Sequence, residues 1–156
     1  MSPTEFLDKI APAAQACQSA TGIPASFTLA QAALESAWGA SRLATRGHNL
    51  FGVKADRAWK GPTISIDTRE VLNGKSVMVP ARWRAYPDWA ACLTDRAEFF
   101  RKNPRYAKCF AETTGAGWAR AVALAGYATD PHYAERLIAV MDGRKMTRFD
   151  LIPTKA

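Results

Sequence analysis

Two stretches rich in β-branched residues meet at Asn73-Gly74, and this arrangement limits the folds open to the chain. The first stretch is TISIDTREV and the second is SVMVPARWRAY. Asn-Gly favours a two-residue hairpin turn, because both positions of such a turn need positive φ angles. A turn at this position pairs Glu70 with Val77 across the two strands. The sequence therefore predicts one β-hairpin with Glu70 near its tip.

The rest of the chain has the apolar periodicity and the capping residues of helices. The first helix is predicted to begin after Ser2 and to run to about Ala20, and the second to begin near Ser26 or Thr28 and to stop at Gly39. Further helices are predicted from Asp88 to Phe100, from Asn103-Pro104 to about Glu112, over WARAVALAG, and from Asp130-Pro131 onward. We therefore expect an α+β fold, a helical body with one inserted β-hairpin. It should form a single domain over residues 1–145, followed by a loosely held tail over residues 146–156.

Composition indicates one domain, and its charge fits either an anionic partner or a basic surface that only keeps the protein soluble. A length of 156 residues and an apolar content of 48% suit a single core. The net charge of +7 favours nucleic acid, an anionic membrane surface or an acidic polymer such as bacterial cell wall. Because the basic residues are scattered and form no recognisable nucleic-acid-binding motif, we expect no nucleic acid partner.

Cysteines, histidines and the N-terminal residues bear on disulfides, metal binding and membrane targeting. Cys17, Cys92 and Cys109 form no CxxC pair, so reduced thiols are expected. His48 and His132 form no metal-binding motif, so we expect neither a metal nor a cofactor. The N-terminal residues lack the basic and apolar regions of a signal peptide, and no segment has a membrane-spanning length. We expect a monomer made in the cytoplasm without a signal peptide and without stable membrane insertion.

Glu35 is a carboxylate within the apolar run LAQAALESAWGAS. On a continuous helix Gln31, Glu35 and Trp38 share a face, so Glu35 should lie buried against the indole near the helix C-terminus. Burial and the negative end of the helix dipole both favour a protonated carboxyl, which glycoside cleavage requires as its general acid. The alternative is a structural glutamate bonded to loop amides.

Glu70 is the second candidate carboxylate. Near the tip of a ribbon it can reach over a cleft, whereas the alternative is a solvated glutamate on an exposed strand. Asp67 is a weaker candidate, because it lies on the opposite face of the ribbon.

Motifs spread over about residues 5–141 carry a resemblance to a known family. They are QAALESAWGAS, NLFGVKA, Trp59-Lys60-Gly61, Thr68-Arg69-Glu70, RWRAYPDWAACLTDRAEFF, RYA and AGYATDPHYAERL. In order and spacing they resemble the peptidoglycan-cleaving N-acetylglucosaminidase domain of glycoside hydrolase family 73. This family includes the hydrolase half of flagellar rod-associated proteins and many Gram-positive autolysins. The chain departs from the family pattern at three positions. Ala37 stands where the family often has Gly, Val71 stands where an aromatic residue is common, and Trp83 replaces a frequent Phe.

The resemblance implies a lysozyme-like fold with a cleft between the helical body and the hairpin, and cleavage between N-acetylglucosamine and N-acetylmuramic acid. It implies Glu35 as the catalytic acid, Glu70 as a second carboxylate and Tyr127 as a cleft tyrosine. The candidate substrate-binding residues are Asn49, Phe51 and Gly52 on the cleft floor, Trp59 and Tyr106 as sugar platforms, and Asp130. The two platform aromatics could equally be core residues.

Mechanism and setting stay open at this stage. Glu70 can act as a base on water, giving inversion, or stabilise an oxocarbenium-like state; a third route uses the substrate's own N-acetyl group, with Tyr127 orienting it. A muramidase, a lytic transglycosylase and a non-catalytic peptidoglycan-binding module are the competing functions. The expected partner is the glycan strand in the periplasm, reached after holin-type release, as by a phage endolysin, or after dedicated secretion, as by an antibacterial effector.

Overall fold

The protein is a helical body with a two-stranded ribbon inserted into it. The computed structural model describes residues 1–152. Within that part the helices are α1 (Pro3–Thr21), α2 (Ala25–Ser36), α3 (Arg42–Arg46), α4 (Trp89–Lys102), α5 (Gly115–Leu124) and α6 (Tyr133–Gly143). Two 3-10 helices, Pro104–Ala111 and Met146–Phe149, follow α4 and α6. None of the helices in residues 1–152 has the length and apolar character to cross a membrane.

Two of the predicted caps are present. The Ser2 hydroxyl accepts the amide hydrogen of Glu5 at the start of α1, and Asp88 accepts that of Ala91 at the start of α4. Each side chain satisfies an amide that has no partner inside its helix, which fixes the first turn. The short helix α3, capped in the same way by Ser41, was not predicted.

Helix α2 lies at the centre of the body and carries Glu35 near its end. Ten of its twelve residues are buried, and α1, α5 and α6 pack against it. The many alanines of α2 let these neighbours approach closely, as dense packing requires. Glu35 is exposed, so the mostly buried helix α2 carries a carboxylate at the protein surface near its end.

The predicted end of α2 at Gly39 is wrong, and with it the burial of Glu35 against Trp38. The helix ends at Ser36, whose hydroxyl donates to the carbonyl of Ala32 and accepts the amide hydrogen of Gly39. Ala37, Trp38 and Gly39 then adopt φ angles of 52°, 58° and 79°. This left-handed stretch turns the chain away from the helix axis, so the i, i+3 relation between Glu35 and Trp38 is lost.

Trp38 instead packs inside the helical body. Its ring makes an edge contact with Phe6, at 6.0 Å between centroids. Gly39 lies in the same crowded region, since a Cβ there would come within 2.9 Å of both Trp89 and Phe6. Close packing therefore takes the indole away from the carboxylate.

The hairpin turn and its register are confirmed, but each predicted strand is divided in two. Strands β2 (Thr68–Leu72) and β3 (Lys75–Val79) pair across Asn73-Gly74, with Glu70 opposite Val77. Strands β1 (Thr63–Ser65) and β4 (Arg82–Arg84) form a second antiparallel pair nearer the body. The strand pairing of the ribbon is interrupted at residues 66–67 and 80–81.

The predicted loose tail is wrong for residues 146–151. Met146 is fully buried, and Asp150 accepts hydrogen bonds from both the backbone amide and the hydroxyl of Ser26, each at 2.7 Å. Gln18 accepts the amide hydrogen of Leu151 at 3.0 Å. This segment therefore belongs to the domain, while residues 153–156 of the predicted tail lie outside the described part.

Candidate active site

A chain of four hydrogen-bonded side chains connects the core to Glu35. The buried Arg96 guanidinium donates through Nε to Oε1 of Gln31 at 2.8 Å. Nε2 of Gln31 donates to the Tyr133 hydroxyl at 2.9 Å, and that hydroxyl donates to Oε1 of Glu35 at 2.8 Å. Helices α4, α2 and α6 each contribute to this relay, which we define as Arg96, Gln31, Tyr133 and Glu35.

The direction of every bond in the relay is fixed by Arg96. A guanidinium can only donate, so the oxygen of the Gln31 amide must face it and the nitrogen must face Tyr133. The Tyr133 oxygen therefore accepts from Gln31, and its own hydrogen is left to donate to Glu35. The relay thus presents a hydrogen-bond donor to Glu35 in one defined position.

Arg96 is buried, at 2% exposure, among aromatic rings. Its guanidinium carbon lies 4.7 to 4.8 Å from the ring centroids of Phe27, Phe51 and Phe100. It also donates to the Thr28 hydroxyl at 3.1 Å. Burial lowers its pKa, but arginine titrates so far above neutrality that the side chain stays cationic. The rings and the hydrogen bonds compensate for its lost hydration.

Two stacked phenols lie beside the carboxylate. The rings of Tyr127 and Tyr133 are nearly parallel, with centroids 5.6 Å apart. Burial raises the pKa of Tyr127 to about 12, and burial, together with the nearby Glu35 charge, raises that of Tyr133. Both hydroxyls therefore remain protonated at neutral pH and act as neutral donors.

A groove leads from Tyr127 along α4 to Trp59. Its inner part is a cavity of about 220 Å³ lined by Phe51, Gly52, Val53, Arg84, Asp95, Arg96, Phe99 and Tyr127. A second cavity of about 530 Å³ contains Trp59 and shares Arg84, Asp95 and Phe99 with the first. Phe51, Gly52, Trp59 and Tyr127 of the predicted site therefore line one continuous depression.

Trp59 forms part of the groove wall but is held by the protein. Its indole nitrogen donates to the carbonyl of Pro62 at 2.8 Å, and the Arg84 guanidinium lies 4.8 Å from the ring centroid. The side chain is half-buried. It thus has a fixed orientation and a partly free surface.

Glu70 lies on the ribbon, apart from the relay. Its Oε1 accepts a hydrogen bond from Nζ of Lys54 at 3.3 Å, and both side chains are largely solvated. An exposed ion pair of this kind contributes little stability, so it leaves Glu70 free to change partners.

Asn49 and Tyr106 do not lie where the sequence placed them. Asn49 is 1% exposed, and its amide group exchanges hydrogen bonds with the backbone of Val53 and donates to the carbonyl of Arg84. Tyr106 is 3% exposed and packs edge-on against Phe100. Asn49 therefore shapes the loop that forms the groove floor, and the Tyr106 ring has no free face for a sugar.

Asp130 is engaged within the protein. It accepts the amide hydrogen of His132 at 2.8 Å and a hydrogen of the Arg136 guanidinium at 3.0 Å. These two bonds lower its pKa. It stabilises the turn before α6, which begins at Tyr133 and not directly after Asp130-Pro131.

Sequence reasoning missed Arg96 and the bond made by Tyr133. A usable signal existed for Arg96: with Leu93, Ala97 and Phe100 it falls on the apolar face of α4 at positions i, i+3, i+4 and i+7. A charged residue at such a position needs a buried partner. Among residues 1–152, no group of three or more His, Cys, Asp or Glu side chains is placed to bind a metal ion.

Comparison with known proteins places this arrangement in a family. A family model described as mannosyl-glycoprotein endo-beta-N-acetylglucosaminidase matches residues 11–146. The chain belongs to this family, glycoside hydrolase family 73. Membership confirms the resemblance seen in the sequence motifs.

Individual relatives agree with this assignment. The chain is 40% identical over 144 residues to the peptidoglycan hydrolase FlgJ of Escherichia coli strain K12, covering 90% of this chain and 46% of that protein. It is 34% identical over 150 residues to the exo-glucosaminidase LytG of Bacillus subtilis, covering 93% of this chain and 52% of LytG. The chain thus spans about half the length of these curated relatives.

A solved structure confirms the lysozyme-like α+β fold. The truncated glycoside hydrolase domain of FlgJ from Salmonella typhimurium superposes with a TM-score of 0.80 at 37% identity, covering 92% of this chain and 98% of that one. The helical body and the inserted ribbon are therefore those of a family 73 domain.

Proposed function

We propose that this chain hydrolyses the glycan strands of bacterial peptidoglycan as an endo-β-N-acetylglucosaminidase, with Glu35 as its general acid. The observation that carries the proposal is the exposed Glu35 carboxyl, held by Tyr133 beside the groove that Tyr127 lines. Family membership supports glycan hydrolysis, and the names of the relatives support peptidoglycan as the substrate.

The relay explains how one carboxyl oxygen can serve as the acid. Oε1 of Glu35 accepts the Tyr133 hydrogen, whereas Oε2 has no protein partner within residues 1–152. A proton on the carboxyl is therefore best placed on Oε2. From there it can pass to the glycosidic oxygen while the bond to Tyr133 keeps the group oriented.

Glu70 and Tyr127 are proposed to act on the other side of the scissile bond. With Glu70 on the ribbon, motion of the ribbon can bring this carboxylate toward the sugar, where it activates water or stabilises positive charge. Tyr127, a neutral phenol in the groove wall, can donate to an N-acetyl oxygen. If Glu70 activates water, the configuration at the anomeric carbon is inverted. If the N-acetyl group of the substrate participates, that configuration is retained.

The decisive experiment identifies the new chain end. Purified Gram-negative peptidoglycan is digested, reduced with borohydride and analysed by mass spectrometry, in parallel with Glu35→Gln. Reduced glucosamine ends that are missing with the variant are expected. Muramic acid ends would instead indicate a muramidase, and anhydromuramic ends a lytic transglycosylase. No cleavage by the native chain would favour a peptidoglycan-binding module.

The cell wall is proposed as the site of action because the substrate lies there. Holin-type release and dedicated secretion both stay predictions from the sequence. Co-expression with and without a holin, followed by optical density, distinguishes them, since an endolysin lyses cells only when the holin is present.

A further inference from the structure

A second groove, rich in basic residues, lies between the first 3-10 helix and α5. It has a volume of about 530 Å³ and is lined by Arg105 and Lys108 from the 3-10 helix and by Arg120, Ala121, Leu124 and Ala125 from the α5 side. We refer to these six residues as the basic groove. None of them lines the cavities that contain Tyr127 or Trp59.

The cations of the basic groove are not neutralised by the protein. The side chains of Arg105, Lys108 and Arg120 are exposed and take part in no ion pair within residues 1–152. Glu112 is the one acidic residue of the lining. Three cations facing one carboxylate leave a net positive groove, which attracts an anionic ligand.

The wall of the basic groove is apolar. Leu124 is 92% exposed, and Ala121 and Ala125 lie beside it. A ligand that suits both features carries carboxylates together with small apolar side chains.

The basic groove adjoins the candidate active site through two tyrosines. Arg105 directly precedes Tyr106, whose ring centroid lies 6.2 Å from that of Tyr127. Ala125 lies two residues before Tyr127, at the end of α5. Tyr106 and Tyr127 thus pack between the walls of the two grooves. At the surface, Arg105 directly follows Pro104, which lines the cavity that contains Trp59, so a side branch of a polymer bound along that cavity can reach the basic groove.

We propose that the basic groove binds the acidic peptide stem carried by peptidoglycan, and that it selects glycan strands bearing such stems. This inference rests on the proposed function. Peptide stems combine free carboxylates with alanine methyl groups, which match the three cations and the apolar wall. Charge-assisted bonds from Arg105, Lys108 and Arg120 to the carboxylates supply the affinity.

The test compares two substrates and two matched variants. Initial rates are measured on intact, stem-bearing peptidoglycan and on glycan strands whose stems an amidase has removed. The variant K108A/R120A removes two charges from the basic groove. The control R42A/R46A removes two exposed charges from α3, outside both grooves.

K108A/R120A should raise KM about tenfold on the stem-bearing substrate, as expected for the loss of about 1.4 kcal/mol of binding, and leave the stripped strands unaffected. R42A/R46A should have much smaller effects on both substrates. Equal effects of K108A/R120A on both substrates, no effect on either, or an equal effect of the control on intact peptidoglycan would overturn the proposal.

A binding measurement tests this inference even if the proposed hydrolytic function is wrong. If the native chain cleaves neither substrate, co-sedimentation with each polymer still tests the groove. Native protein should then bind stem-bearing strands more tightly than stripped strands, and K108A/R120A should abolish the difference. Equal binding of the native chain to both polymers would refute stem recognition.

Discussion

At the scale of single residues, Tyr133 joins the buried part of the relay to Glu35, the proposed general acid. Its hydroxyl is the group that touches Glu35, and its orientation depends on Gln31 and Arg96. Tyr133 is therefore a positioning residue. Removing its oxygen alters the geometry of the acid without touching the substrate groove.

Tyr133→Phe should lower kcat by about tenfold, since the bond from Tyr133 strengthens from about 1 kcal/mol to about 1.5–3 kcal/mol as the Glu35 proton leaves and the carboxyl becomes charged. KM should change little, because the lining of the groove is unchanged. Steady-state kinetics on soluble peptidoglycan fragments give both constants.

Tyr106→Phe is the matched control for that variant. The Tyr106 hydroxyl makes no hydrogen bond within the described residues, and its ring packs in the same aromatic cluster. Its kcat should stay near the native value. A fall in kcat of the same size in both variants would mean that Tyr133 acts through packing alone.

The two stacked phenols also predict how stability depends on pH. Burial raises the pKa of Tyr127 from 10.0 to about 12 and raises that of Tyr133 as well. The unfolded chain therefore releases these protons at lower pH than the folded chain does. The resulting stabilisation is complete below about pH 10 and is lost as the pH rises toward about 12.

The melting temperature, followed between about pH 9 and about pH 12, should fall across this window. Tyr127→Phe should show a shallower fall, because one of the two shifted groups is gone. An identical slope in both proteins would assign the alkaline transition to other groups.

Sequence could nominate candidate site residues, but it could not predict their contacts. The motif ALES identifies Glu35, but the partner expected for it was Trp38 and the actual partner is Tyr133, 98 positions away. Such a contact depends on how α2 and α6 pack, which local periodicity does not specify. Arg96 was detectable, because a charge at an apolar helix position requires buried partners.

At the scale of elements, the hydrogen-bond ladder of the ribbon is interrupted between its two strand pairs. Pro80, between β3 and β4, has no amide hydrogen to donate, and a proline within a strand pattern signals such a break. The turn was predictable because Asn73-Gly74 specifies it locally. The interruption has its own local signal in Pro80.

Trp83 stabilises the ribbon beside this interruption. The indole nitrogen donates to the carbonyl of Ile66 at 2.8 Å, next to the interruption, and the ring is almost fully buried. Trp83→Phe keeps an aromatic ring but loses this bond, at a cost of about 1 kcal/mol. Amide hydrogen exchange in β2 and β3 should become faster.

Trp59→Phe is the matched control for the ribbon. It also loses one indole hydrogen bond, to Pro62, but this bond lies in the loop before β1. Exchange in β2 and β3 should remain as in the native protein. Unchanged exchange in Trp83→Phe would show that strand pairing alone holds the ribbon.

At the scale of the whole molecule, the C-terminal segment fastens the helical body. Asp150 bonds twice to Ser26 at the start of α2, and Gln15 of α1 donates to the carbonyl of Phe149. The sequence suggested a loose tail because its polar composition has no helical period. The buried Met146, the Asp150 carboxylate and the bonds from Gln15 and Gln18 hold it against the body.

Asp150→Ala should therefore destabilise the entire domain. It leaves the amide and the hydroxyl of Ser26, which is fully buried, without their acceptor, and an unsatisfied buried polar group costs about 1–3 kcal/mol. Because α2 carries Glu35 and is packed on several sides, the loss should appear as a lower urea midpoint for one cooperative transition. Asp142→Ala removes an exposed carboxylate from the nearby end of α6 and should leave the midpoint almost unchanged. Equal midpoints for Asp150→Ala and the native chain would mean that water satisfies Ser26 as well as Asp150 does.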